Sequence, residues 1–234
     1  MPEERRPVHL LAGGRPVMAR RGPDPLIESA LRQAGVKNPT VAYVGAASKD
    51  NAAFRVMMTR LLHAAGAGEV RAARLCGRCD DPGKAMRVIE SCHVVFVSGG
   101  DVEAGMGTLG EKGMVDFLLA QCQNGKPFFG ASAGSIMLAQ SWLRWGDPEE
   151  DSSAELFPCL GIAPVCCDTH GEKDGWEELR VLTRLIPAGT VTYGISSGAA
   201  LVVNPDGSVA ARGGEVARFT NAGSFVRPIA ALRD

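Results

Sequence analysis

The stretch "KPFFGASAGSIMLAQ", residues 126–140, runs from an apolar strand-like segment directly into a helix-like one, with Ser132 at the junction. Gly130 and Gly134 stand two places to either side of that serine. A chain that turns from strand to helix so sharply presses backbone against backbone, and flanking glycines remove the side chains that would collide. This Gly-x-Ser-x-Gly spacing is the nucleophile-elbow pattern, in which the serine hydroxyl stands bare at the carboxyl end of a strand in an open α/β sheet. Taken alone, the same five residues serve equally well as a small-residue turn that lets a helix pack on a sheet.

Working outward from the junction, short β-branched runs alternate with longer helical patterns. Residues 8–12, 40–46, 93–99, 126–131, 190–195 and 199–203 read as strands, and their lack of polar alternation implies burial on both faces. Residues 51–66 place Phe54, Met57, Met58, Leu61 and Leu62 at helical spacing, and Gly66 stops the run. Segments 81–92, 114–125 and 176–189 read as helices too, their apolar stripes being core faces. Residues 144–158 are acidic, carry two prolines and have no period, so they are expected to form a long loop. Turn signals at "NPDG" and "RGG" predict a terminal β-meander. The expected fold is α/β, one doubly wound domain over residues 1–234, with a mainly parallel sheet flanked by helices and a C-terminal antiparallel β extension.

Composition narrows the function classes. Lys and Arg number 25 against 26 Asp and Glu, a net charge of −1, which calls for neither nucleic acid nor an anionic membrane surface. The opening "MPEERRPVHLLAGG" has only a short apolar run, too short for a signal core or a spanning helix, so a cytoplasmic protein is expected. The cysteine count is odd, at seven, and a chain this large needs no covalent staples; reduced thiols are the simpler reading. Cys122, Cys159, Cys166 and Cys167 lie in apolar surroundings and read as small hydrophobes. Cys76 and Cys79 of "CGRC", with Cys92 and His93, offer four ligands for zinc, but no second CxxC or spaced histidine pair completes a pattern. No metal and no organic cofactor is expected.

A second turn bears on Ser132. "FVSGGD", residues 96–101, ends another buried strand in a glycine pair, and the Gly100 N–H together with the Ala133 N–H would form a two-donor oxyanion hole. A serine needs a base. Of the four histidines, His9 and His93 open strands and His63 lies within a helix, so these read as structural. His170 follows the strand-like "APVCCDT" at a loop position and is the candidate base. For the acid that orients the ring, Asp147 gives the chain order Ser, Asp, His of the α/β hydrolases. Asp168 is a rival with poor geometry, and Glu149, Glu150 and Asp151 serve equally as a solvated acidic face.

These residues resemble the serine peptidases typified by dipeptidase E and cyanophycinase, which share the class I glutamine amidotransferase-like fold. "VFVSGGD", "FFGASAGSIML", "ELFPCLGIAPVCCDTH" and "YGISSGAALVV" carry the resemblance, which spans most of the chain. It implies Ser132 as nucleophile, His170 as general base, Gly100 and Ala133 as oxyanion donors, and Asp147 as acid. Asp101, Lys173 and Arg180 are the candidate substrate contacts, the last two as substitutes for arginines that relatives place after the histidine. Two departures stand out. Ser197 occupies the position where relatives place a glutamate, and "GEKDGWEELR" lacks their arginine-rich, acid-binding pattern. The expected activity is hydrolysis of a small peptide or amide through an acyl-enzyme, with self-association into a homodimer allowed. The alternative is a catalytically weakened binding or regulatory member of the same fold. Amide-transfer and deglycase relatives use cysteine at the elbow, where this chain has Ser132.

Overall fold

The computed structural model describes residues 5–13, 22–77, 80–147, 151–223 and 225–234. In chain order, the first half runs β1 (Val8–Leu11), α1 (Pro25–Arg32), β2 (Val41–Val44), α2 (Ala52–Ala64), β3 (Val70–Ala73), α3 (Pro82–Ser91) and β4 (Val94–Val97). Next come α4 (Val102–Glu111), α5 (Met114–Gln123), β5 (Phe128–Ala131), α6 (Ala133–Leu138), β6 (Ser141–Trp145), β7 (Ala154–Pro158) and β8 (Cys166–Thr169). The chain closes with α7 (Glu177–Leu185), β9 (Val191–Ile195), β10 (Ala200–Val203), β11 (Val209–Arg212), β12 (Val216–Asn221) and β13 (Val226–Leu232).

Among the described residues the central sheet has the order β11-β10-β1-β5-β4-β2-β3. Its five strands from β1 to β3 are parallel, while β10 and β11 extend it antiparallel. Every residue of β1, β2 and β4 is buried, and all but His9 are apolar, as strands covered by helices on both faces demand. On one face Leu11, Tyr43, Phe96 and Phe129 pack against Leu26 and Leu31 of α1 and Met58 and Leu62 of α2. On the other, Leu10, Val95, Val97 and Phe128 meet α3 to α6 through Ile89, Leu109, Leu118 and Met137. The helices begin where short polar residues satisfy free N–H groups: Asp24, Asn51, Asp81 and Asp101 cap α1 to α4 in turn.

Strand register brings three strand ends together. Leu11 lies opposite Ala131, and Val97 opposite Gly130, so β1, β5 and β4 end side by side at one edge of the sheet. A smaller sheet, β13-β12-β9-β8, packs around α7 through Leu179, Leu182, Trp176 and Phe219. Here β8 and β9 run parallel with Thr169 opposite Ile195.

Two sequence expectations change. The acidic segment is not one long loop: β6 and β7 form an antiparallel hairpin, Trp142 opposite Phe157, whose rings meet edge to face at 6.2 Å. The two strands are consecutive but only partly buried, so neither has the clean apolar alternation that a periodicity test reads. The terminal strands are not one meander either, because the turn near Gly213 carries the chain from the central sheet, at β11, into the smaller one, at β12.

Candidate active site

Ser132 joins β5 to α6 with φ 53° and ψ −125°, a conformation that a residue bearing a side chain rarely takes. Its N–H donates to the Leu11 carbonyl at 2.8 Å, tying the junction to β1. Ser135, one turn on, is buried and donates its hydroxyl to the same carbonyl at 2.8 Å. The flanking glycines are sterically required. A Cβ on Gly130 would sit 2.5 Å from the Gly134 carbonyl oxygen, and one on Gly134 would collide with that of Val97.

The turn after β4 is pressed just as closely. Gly100 has φ 148°, and a Cβ there would strike the Ala47 carbonyl, which accepts the Asp101 N–H at 2.8 Å. Ala133 is the first residue of α6, so its N–H has no partner within the helix.

His170 follows β8 in a left-handed conformation, φ 68°, and its N–H donates to the Ile195 carbonyl at 3.3 Å. Because β8 and β9 are parallel neighbours, the residues just past their ends meet: His170 Nδ1 lies 3.0 Å from Ser197 Oγ. The Ser197 N–H in turn donates to Glu172 Oε1 at 3.2 Å. Desolvation pulls the Glu172 carboxyl upward, but hydrogen bonds from Ser197 and the local backbone, with the charge of His170, outweigh it and hold the group below its usual value. Gly198 donates to the Gly13 carbonyl at 2.8 Å, which fastens this cluster to the end of β1.

Ser132, His170 and Gly100 line one cleft of about 350 Å³. Among its described residues, the walls include Leu26 and Ile27 of α1, Phe54, Met57, Met58 and Leu61 of α2, and Asp24, the cap of α1. The other sequence candidates lie elsewhere. Asp147 is exposed at the end of β6, its backbone tied to Ser153, and does not line the cleft. Asp101 caps α4 by accepting the Ala104 N–H at 2.8 Å. Lys173 is exposed in the turn after Glu172, and Arg180 lines a separate hollow with Trp145, Asp174 and Glu178. Asp168 is 8% exposed; burial pushes its carboxyl up to about 7, against the pull of the Thr169 N–H it accepts at 2.7 Å. Of the acidic loop residues, Glu149 and Glu150 fall outside the described residues, as does the side chain of Asp151.

The remaining histidines have structural placements. His9 is buried in β1, and burial first, then Arg212 and Arg32, lowers it to about 4. His93 Nδ1 accepts the Thr40 N–H at 3.1 Å, and His63 Nδ1 lies 3.1 Å from the Ala67 carbonyl. Burial raises the thiols of Cys92, Cys122, Cys166 and Cys167, and takes Cys159 up to about 12, so these are packing groups and not nucleophiles. Cys76 Sγ faces Thr108 Oγ1 at 3.9 Å, while Cys79 lies outside the described residues. Among the described residues, no helix is long and apolar enough to cross a membrane.

The partnership of Ser197 with Glu172 is not legible in the sequence. The one local signal is the pair of segments "CCDTH" and "YGISS", each ending a strand in polar residues.

No curated protein matches the chain. Among solved structures, a peptidase from an acI-B1 Actinobacterium superposes with a TM-score of 0.72 at 17% identity, covering 98% of this chain and 97% of that one. A Listeria monocytogenes EGD-e protein provisionally assigned as peptidase E gives a TM-score of 0.64 at 14% identity, over 89% of this chain and 98% of that one. At these identities the likeness establishes the fold, a mainly parallel sheet between helices with antiparallel strands added at the C-terminal end. The sequence pattern of peptidase family S51 matches residues 10–210, and the chain belongs to that family.

Proposed function

We propose that the chain is a serine-type peptidase that cleaves a small peptide or amide through an acyl-enzyme on Ser132. The observation that carries this reading is the cleft itself: a serine held in a strained elbow opens onto the same space as a histidine whose Nδ1 is engaged behind it. With Nδ1–H donating to Ser197 Oγ, the lone pair sits on Nε2, the nitrogen that takes the Ser132 proton as Oγ attacks the substrate carbonyl. The N–H groups of Gly100 and Ala133 are the donors for the resulting oxyanion. His170 then returns the proton to the leaving amine, and a water molecule, activated by the same imidazole, releases the acid.

The described cleft walls favour an apolar side chain beside the scissile bond over an acidic one, since Leu26, Ile27, Phe54 and Met58 offer it no positive charge and Asp24, which also lines the cleft, is itself an acid. Lys173 and Arg180 are outside that lining. A fluorophosphonate probe read by intact mass tests the proposal: one adduct on the wild type, abolished by Ser132→Ala, is expected. Labelling that persists in that variant, or no labelling of the wild type, overturns it. A dipeptide library then reads the side-chain preference, and selective cleavage after or before acidic residues would refute the apolar assignment.

A second reading, a binding or regulatory protein with weakened catalysis, draws on one observation: the His170 Nδ1 partner is the uncharged Ser197. Tight binding of a library dipeptide without turnover would favour it.

A further inference from the structure

Among the described residues, the partner on His170 Nδ1 is the Ser197 hydroxyl, and no carboxylate bonds the ring directly. A hydroxyl accepts the Nδ1–H and fixes the ring's tautomer, yet it has no negative charge to stabilise the imidazolium that forms when Ser132 gives up its proton. Ser197 therefore completes the geometry and leaves the electrostatics unfinished. Glu172 lies two residues beyond His170 on the turn that follows β8, and its Oε1 accepts the Ser197 N–H at 3.2 Å. Other described acids have partners of their own: Asp24, on the cleft wall, caps α1 by accepting the Leu26 N–H at 2.9 Å. Asp174 accepts the Trp176 N–H at 2.9 Å, Asp168 is buried against Thr169, and Asp147 belongs to the β6–β7 hairpin.

We propose that Glu172 supplies the charge of this site and acts on His170 through Ser197. This rests on the serine-peptidase reading above. In this arrangement the Ser197 hydroxyl accepts from His170 Nδ1–H and turns its own hydrogen toward the Glu172 carboxyl group, which the Ser197 backbone N–H already holds at 3.2 Å and whose acidity the Ser197 side chain increases, so that the bridge is polarised from both ends. No proton leaves the chain of groups: Nδ1 keeps its hydrogen, Ser197 keeps its hydrogen, and the carboxylate stays ionised. Glu172 is a positioning residue, since it reaches the reacting atoms only through two others. Its exposure to solvent screens the charge, so its effect is smaller than that of a buried acid bonded directly to the ring.

The test measures the rate of fluorophosphonate attachment at Ser132 and the kcat and KM for a cleaved dipeptide, in the wild type and in Glu172→Gln. Each is then repeated in Ser197→Ala and Ser197→Glu backgrounds. Expected is a roughly tenfold loss in attachment rate and in kcat for Glu172→Gln, with KM changed less than about twofold. In Ser197→Ala the bridge is gone, and in Ser197→Glu the ring has its own carboxylate. In both, Glu172→Gln should add less than a twofold loss. Two results overturn the proposal while leaving the peptidase reading intact: a labelled wild type indifferent to Glu172→Gln, or an equal loss in all three backgrounds, which marks a merely structural role. A wild type that does not label at Ser132 overturns the peptidase reading and this proposal with it.

Discussion

Replacing Ser132 by glycine should make the protein more stable while abolishing its activity. At φ 53° and ψ −125° the serine occupies backbone space that disfavours any Cβ, a strain worth about 1–3 kcal/mol. The strain persists because the Ser132 N–H is bonded to Leu11 and Gly130 is packed on Gly134, which leaves the junction no room to relax. Glycine removes the strain but gives back about 0.4–1 kcal/mol through a freer unfolded chain, so a net gain of about 1 kcal/mol is expected. Alanine keeps the Cβ and with it the strain, so Ser132→Ala is the reference. At an ordinary backbone position glycine is less stable than alanine by about 0.5–1 kcal/mol; here the order should reverse. Urea titrations with matched slopes read the difference as a shift in midpoint. A Ser132→Gly variant no more stable than Ser132→Ala would refute the claim that the elbow stores strain. Both variants should lose labelling and turnover.

Other outcomes rest on the same geometry. His170→Ala should lower kcat by about three to four orders of magnitude with the far-UV dichroism unchanged, and near-normal turnover would remove it as base. Asp147→Asn should change kcat by less than about threefold, because that side chain is exposed and outside the cleft; a loss comparable to that of His170→Ala would restore it as the acid. Gly134→Ala should destabilise by about 3 kcal/mol or more, since its methyl would enter the Val97 carbonyl; a midpoint within error of wild type contradicts the packing. Two buried groups set opposing pH slopes. Asp168, raised from 3.8 to about 7 by burial, holds a proton that the unfolded chain has lost, so stability falls as pH rises across that window, by about 4 kcal/mol in full. His9, lowered from 6.5 to about 4, loses about 3 kcal/mol as pH falls through its own window. Between roughly pH 4.5 and 6 the two cancel, so Asp168→Asn should uncover a stability that rises with pH, and a flat profile in that variant would refute the assignment.

Much of the fold is legible along the chain because burial on two faces leaves a local trace. The apolar runs of β2 and β4, that of β1 broken only by His9, and the helical stripes of α2, α3 and α5 announce themselves within a few residues. Helix α4 does not, since its "VEAGMGTLGE" holds three glycines that lower helix propensity. Packing explains one of them: a Cβ on Gly105 would lie 2.7 Å from the Met137 sulfur. The cap from Asp101 and the burial of Met106 and Leu109 override the local preference. The β6–β7 hairpin is equally hidden because its strands are only partly buried, and the split of the last strands between two sheets because strand pairing is a choice among distant partners.

The candidate site divides along the same line. The sequence alone determined that a tight strand-to-helix reversal falls at Ser132, because glycines stand two places to either side, and it singled out His170 as a polar residue just past a strand. Tertiary structure alone decided what stands behind the imidazole. His170 and Ser197 are 27 residues apart, and Glu172 and Ser197 are 25 apart. They meet because β8 and β9 pair in parallel and end together, and a hydrogen bond reads distance in space, which one strand's own residues do not encode.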